Sequence, residues 1–107
     1  MADEILRRIL FLITINVRTS MELSEILGNW KFQVSLPQTS TFGDLLNQLT
    51  QTHGDELKPY LFETDGKTLA SHIMFMVNGR NIRFLNKEQT ILQDNDEITI
   101  LLPAGGG

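Results

Sequence analysis

Thr41-Phe42-Gly43-Asp44-Leu45-Leu46-Asn47-Gln48-Leu49 is the stretch on which the fold turns. A hydroxyl residue stands three positions before a carboxylate, the pattern that caps a helix N-terminus, and Phe42, Leu45, Leu46 and Leu49 then recur at helical spacing. Gln48, Gln51 and Thr52 fall on the other side and Gly54 is a stop, so the spacing predicts a helix from about Phe42 to just before Gly54. A helix with one apolar stripe needs a layer to bury it against, and the flanking segments supply that layer as strands.

Upstream, residues 9–17 are β-branched, aromatic and almost continuously apolar, which predicts a central strand. Thr19 to Asn29 carries Met21, Leu23, Ile26 and Leu27 among polar residues, with Ser20 as a cap and Gly28 as a stop, and predicts a short helical turn. Trp30, Phe32, Val34 and Leu36 alternate with polar residues and share one face of a second strand, an edge strand ended by Pro37. Downstream, residues 55–71 read as an irregular connection with a turn at Asp65-Gly66. Ile73 to Val77 is a third strand, Asn78-Gly79 a tight turn, and Asn81 to Phe84 a return strand. Asp94-Asn95-Asp96 leads into a last strand, Glu97 to Leu102, stopped by Pro103. Strand, strand, helix and three more strands make an α+β fold, a mixed sheet of four to five strands on one main helix.

The length of 107 residues holds one domain, read as 1–107 with a flexible tail at 103–107. Cysteine is absent, which excludes disulfides, thiolate metal sites and thiol catalysis. A net charge of −4 has the wrong sign for phosphate neutralisation, so neither nucleic acid nor an anionic membrane is the expected partner. The apolar run at Ile9 to Ile15 is too short for a membrane helix and has no small-residue cleavage site behind it, giving the expectation of a cytoplasmic chain.

The side chains hold little that resembles catalysis. His53 and His72 lack companions at metal spacing apart from Asp55 and Glu56, and no metal site is expected. Gly66-Lys67-Thr68 imitates the end of a phosphate-binding loop, but that loop needs a glycine where Leu61 stands. Asp94, Asp96 and Glu97 read as a solvated turn, and no serine elbow or cysteine–histidine pair assembles a nucleophile with a base. Three consecutive glycines at an end read as a fraying terminus in an arbitrary protein, but here Pro103-Ala104-Gly105-Gly106-Gly107 leaves directly from a predicted strand and ends in a free carboxylate, which makes it the expected working part. Five extended residues reach roughly 16 Å from the last strand. Glycines without Cβ atoms let a backbone thread a narrow channel and leave the terminal carbonyl open to attack.

Thr-Phe-Gly-Asp-Leu-Leu at 41–46, Phe-Met-Val-Asn-Gly-Arg at 75–80, Thr-Ile-Leu-Gln-Asp-Asn-Asp-Glu-Ile at 90–98 and Leu-Leu-Pro-Ala-Gly-Gly-Gly at 101–107 occur in order. Together they resemble the MoaD/ThiS family of ubiquitin-like sulfur carriers, and Ser24-Glu25-Ile26-Leu27-Gly28 resembles the short helix of its MoaD branch. The resemblance implies a β-grasp fold and a carrier that is not an enzyme and binds no cofactor. An adenylyltransferase related to ubiquitin-activating enzymes would use ATP to adenylate Gly107, and sulfur transfer would convert it to a thiocarboxylate. A MoaE-like large synthase subunit would accept that sulfur in molybdopterin synthesis, with Pro103, Ala104, Gly105 and Gly106 threading into the partner. Ubiquitin-like conjugation to lysines, sulfur carriage for thiazole or tRNA thiolation, and an interaction module with an unused tail remain alternatives.

Partner recognition requires a surface. If Ile98, Ile100, Phe75 and Val77 point inward, Met74, Met76 and Leu101 form an apolar patch beside the tail root; the opposite phase puts the methionines in the core. Arg80, Arg83 and Lys87 lie near the hairpin as a charged rim or as solvated charges. The segment Met1 to Arg8 and the extra Gly105 exceed a minimal carrier.

Overall fold

The computed structural model describes residues 11–102. The expected positions Ile9 and Leu10 of the first strand, and the tail Pro103 to Gly107, lie outside the described residues. The element order is β1 (Leu12–Thr19), α1 (Met21–Leu27), β2 (Lys31–Pro37), α2 (Phe42–His53), α3 (Lys58–Leu61), β3 (Met74–Val77), β4 (Arg80–Asn81) and β5 (Glu97–Leu101), with 3-10 turns at Gly54–Glu56, Ile82–Phe84 and Lys87–Gln89.

The strands form a single mixed sheet in the order β2-β1-β5-β3-β4. β1 pairs antiparallel with β2 through Ile15↔Val34 and parallel with β5 through Val17↔Ile98 and Thr19↔Ile100. β5 pairs antiparallel with β3 through Met74↔Leu101 and Phe75↔Ile100. The parallel β1/β5 pair sits in the middle because both strands contribute their most apolar side chains to one face: Ile13, Ile15, Val17, Ile98 and Ile100 are all buried. The other face of β1 stays accessible, with Leu12 and Arg18 exposed and Thr14 and Asn16 half-buried, so the first strand is covered on one side only.

α2 covers the inner face. Thr41 Oγ1 accepts from Asp44 N at 3.2 Å and Asp44 Oδ2 accepts from Thr41 N at 2.9 Å, a reciprocal capping box that satisfies two N-terminal donors. Phe42, Leu45, Leu46 and Leu49 are buried, and the Phe42 ring meets Phe75 edge-on, with centroids 5.6 Å apart at 81°. The connection after α2 is more ordered than its polarity suggests. Leu57 and Leu61 are buried among the core residues, and this apolar anchoring holds the α3 turn.

Three elements differ from the sequence expectation. The return strand covers only Arg80–Asn81, because Asn81 Oδ1 accepts from Arg83 N at 2.9 Å and starts a 3-10 turn instead. Trp30 precedes β2 and is exposed, its strand neighbours Phe32, Val34 and Leu36 keeping the inward phase. Ser20 stands at the N-cap of α1 but makes no side-chain cap hydrogen bond. Gly28 does end that helix as expected, at φ 88°.

Candidate functional site

The site assembles where β5 ends. β1 and β5 run parallel, so the C-terminal end of β5 lies at the same pole as Thr19, the end of β1. Ser20 N donates to Ile100 O at 3.2 Å, and Leu102 N donates to Ser20 Oγ at 3.2 Å. Leu102 also packs against the core, so the chain is held up to the residue before the tail.

The outer face beside this root is divided. Over β3 and β5 it is apolar: Met74 is 43% exposed, Met76 and Leu101 are half-buried, and Thr99 faces Met76. Toward the start of β5 and across the middle of β1 and β2 it is polar, with Gln33 Nε2 donating to Asn16 Oδ1 at 2.9 Å and Arg18 of β1 paired with Glu97 of β5 at 3.2 Å. The phase that brings Phe75, Val77, Ile98 and Ile100 inward is the observed one, so Met74, Met76 and Leu101 lie together on the outside. Methionine suits such a surface because its unbranched, polarizable side chain conforms to different neighbours.

At the opposite end of β5, the turn into the strand is more than a solvated carboxylate pair. Asp96 is buried at 9% exposure; its Oδ1 accepts from Asn78 Nδ2 at 2.9 Å and its Oδ2 from Gln93 N at 2.8 Å. Asn78 Oδ1 in turn accepts from Glu97 N at 2.8 Å, and Asp94 Oδ1 accepts from Thr14 N at 2.7 Å. Asn78 and Gly79 adopt φ 51° and 82°, the left-handed pair that a tight hairpin needs. These bonds tie the β3–β4 turn to the start of β5, and the turn before β5 to β1. Their signal in the sequence is Asn-Gly followed at distance by Asp-Asn-Asp, whose connection only the fold makes.

The remaining polar candidates do not converge on this site. Arg83 donates to Ala70 O at 3.4 Å and Ser71 O at 3.2 Å, tying down the segment before β3, while Arg80 and Lys87 are exposed. The Gly66-Lys67-Thr68 segment is a turn organised by Asp65, whose Oδ1 accepts from Lys67 N and Thr68 N and whose Oδ2 accepts from Thr68 Oγ1. These bonds, the Thr68 hydroxyl first, hold the Asp65 carboxyl down at about 2. No group of three potential metal-ligating side chains forms among the described residues. No helix among them is long and apolar enough to cross a membrane.

A mixed five-stranded sheet with a parallel β1/β5 pair and a capped helix across it define a ubiquitin-like β-grasp protein. The chain belongs to the ThiS family, which it matches over residues 18–107. It is 34% identical over 67 residues to a protein of Archaeoglobus fulgidus assigned as a sulfur carrier, an alignment spanning 63% of this chain and 74% of that one. Its fold is similar to the solution structure of small archaeal modifier protein 1 from Methanosarcina acetivorans, with a TM-score of 0.74, 32% identity and coverage of 90% and 98% of the two chains. The crystal structure of the corresponding protein from Haloferax volcanii is similar at a TM-score of 0.74 and 26% identity, covering 88% of this chain and 99% of that one. The family is thus one of small sulfur carriers and ubiquitin-like modifiers.

Proposed function

We propose that this chain is a sulfur carrier whose working group is the carboxylate of Gly107 and whose globular body is the handle by which partners hold it. A carboxylate is a weak electrophile, so the first step is attack of a Gly107 oxygen on the α-phosphorus of ATP within an adenylyltransferase partner, with pyrophosphate leaving. Hydrosulfide then attacks the acyl carbon, AMP departs with the electron pair of the acyl–oxygen bond, and loss of the sulfur-bound proton leaves the thiocarboxylate. Delivered into a large synthase subunit, that sulfur would be used in molybdopterin synthesis. Pro103, Ala104, Gly105 and Gly106 thread the partner's channel, and Met74, Met76 and Leu101 dock against it. The ATP and the catalytic side chains belong to the partners.

The observation that carries the reading is the apolar outer patch of Met74, Met76 and Leu101 beside the ordered root of the glycine-ended segment. An exposed apolar surface next to a segment able to thread a channel suits docking and tail insertion in one event. The β1–β2 connection, helical from Met21 to Leu27, supports the molybdopterin branch. A second reading, conjugation of Gly107 to a lysine of another protein, is favoured by the likeness to the two archaeal modifiers and shares the acyl adenylate. Intact-mass analysis after incubation with the native cell's activating enzyme, ATP and a sulfur donor separates them. Exchange of one oxygen for sulfur supports carriage, and a covalently attached second protein supports modification. An unchanged mass, or a native chain that continues past Gly107, overturns both.

A further inference from the structure

We infer that Ser20 is a positioning residue for the tail: its hydroxyl replaces a backbone carbonyl as the last rung of the β1/β5 ladder and clamps the chain at Leu102. In a parallel ladder, a residue bridged to Leu101 donates its N–H to the carbonyl of residue 100 and accepts, through its own carbonyl, from the N–H of residue 102. Ser20 makes the first of these bonds, N–H to Ile100 O at 3.2 Å. It cannot make the second, because its carbonyl has turned into α1 and accepts from Ser24 N at 3.0 Å. The hydroxyl takes over, with Leu102 N donating to Ser20 Oγ at 3.2 Å.

This arrangement accounts for an otherwise odd choice. Serine at a helix N-cap ordinarily bonds the helix's own free N–H groups, and here it makes no such bond. Its oxygen is spent on the last residue before the tail. A residue without a hydroxyl would leave the Leu102 N–H unpaired at the point where the chain leaves the sheet. The clamp fixes where the tail begins relative to the Met74–Leu101 pair, and so aligns surface docking with tail insertion. This second consequence rests on the proposed function; the clamp itself does not.

Amide hydrogen exchange on the full chain, comparing Ser20 with Ser20→Ala and Ser20→Thr, tests the clamp. Exchange at Leu102 is expected to accelerate on the order of tenfold or more in Ser20→Ala, to leave Glu22 and Leu23 unchanged, and to return toward the native rate in Ser20→Thr. A hydroxyl that merely capped α1 would give the reverse pattern, faster exchange at Glu22 and Leu23 with Leu102 unmoved, and would overturn the inference. If the alanine variant does not fold, Ser20→Gly, which costs little at an N-cap, gives the same comparison. The positioning role is read from pyrophosphate exchange into ATP by the native cell's adenylyltransferase. For Ser20→Ala, KM is expected to rise roughly 5- to 30-fold, the equivalent of re-ordering one backbone residue, with kcat unchanged and Ser20→Thr restored. Equal KM for serine and alanine overturns the positioning role alone; absence of exchange with the unsubstituted chain overturns the proposed function as well.

Discussion

Met74 and Phe75 are neighbours in the chain with opposite environments, and truncating each to alanine separates the two faces of the sheet. Phe75 is 1% exposed, its ring against Phe42 and its strand partner Ile100 also buried. Phe75→Ala removes a core ring and leaves a cavity, costing about 3 to 5 kcal/mol. For a chain of this size that lowers Tm by roughly 4 °C or more per kcal/mol. Met74 is 43% exposed. Burying a methionine side chain completely is worth about 1.5 to 3 kcal/mol, so the part still open to water leaves about 1 kcal/mol for a partner and a similar amount already used in the fold. Met74→Ala should therefore cost the fold only about 1 kcal/mol and weaken docking to the activating enzyme roughly fivefold. Urea titration measures the first quantity, and calorimetric or fluorescence titration with the enzyme the second. Fold stability lost at Met74 to the same extent as at Phe75, or docking unaffected by Met74→Ala, would refute the reasoning.

Asp96→Ala leaves the Asn78 amide and the Gln93 N–H without their acceptor. It should destabilise the chain by about 2 to 4 kcal/mol, measured by chemical denaturation. Arg18→Ala removes an exposed ion pair with side chains 49% and 54% accessible, and is expected to change stability by less than about 1 kcal/mol in the same assay. Asp65 titrates at about 2, below the ordinary carboxylate range, so its contribution to the ordered 65–68 turn is complete above an unfolded pKa of about 3.9 and is lost as pH falls through about 2. A carboxyl-carbon NMR titration should show that midpoint, and Thr68→Ala should move it upward. Gly106→Val should abolish adenylation while leaving Tm unchanged, read by pyrophosphate exchange and thermal melting side by side.

The elements were legible where one local signal sufficed. The Thr41–Asp44 pair and the spacing of Phe42, Leu45, Leu46 and Leu49 define α2 without reference to anything distant. Asn78-Gly79 likewise announces its own turn, since both residues tolerate the left-handed backbone it needs. Where two local signals competed, the sequence was misleading. Asn81 to Phe84 has strand-like residues, yet the Asn81 side chain bonds to the backbone of Arg83 and ends the strand early. Residues 55–71 look irregular, but Leu57 and Leu61 are buried in the hydrophobic core cluster and order them.

The same distinction runs through the site. The capped helix of α2 and the Asn78-Gly79 turn are properties of neighbouring residues, and the amino-acid sequence by itself determined them. The face on which Met74, Met76 and Leu101 lie was open from the sequence, because apolar residues occupy both phases of β3 and either could have been buried. The tertiary structure decided it by placing Phe75 against Phe42 and Ile98 and Ile100 among the buried core residues. It also decided the partners of Asp96 and Ser20, which bond to residues 18 and 82 positions away. Helix periodicity and turn chemistry act over a few residues and can be read along the chain; strand phase and hydroxyl or carboxylate pairing depend on which distant segments meet, and are settled only when the sheet closes.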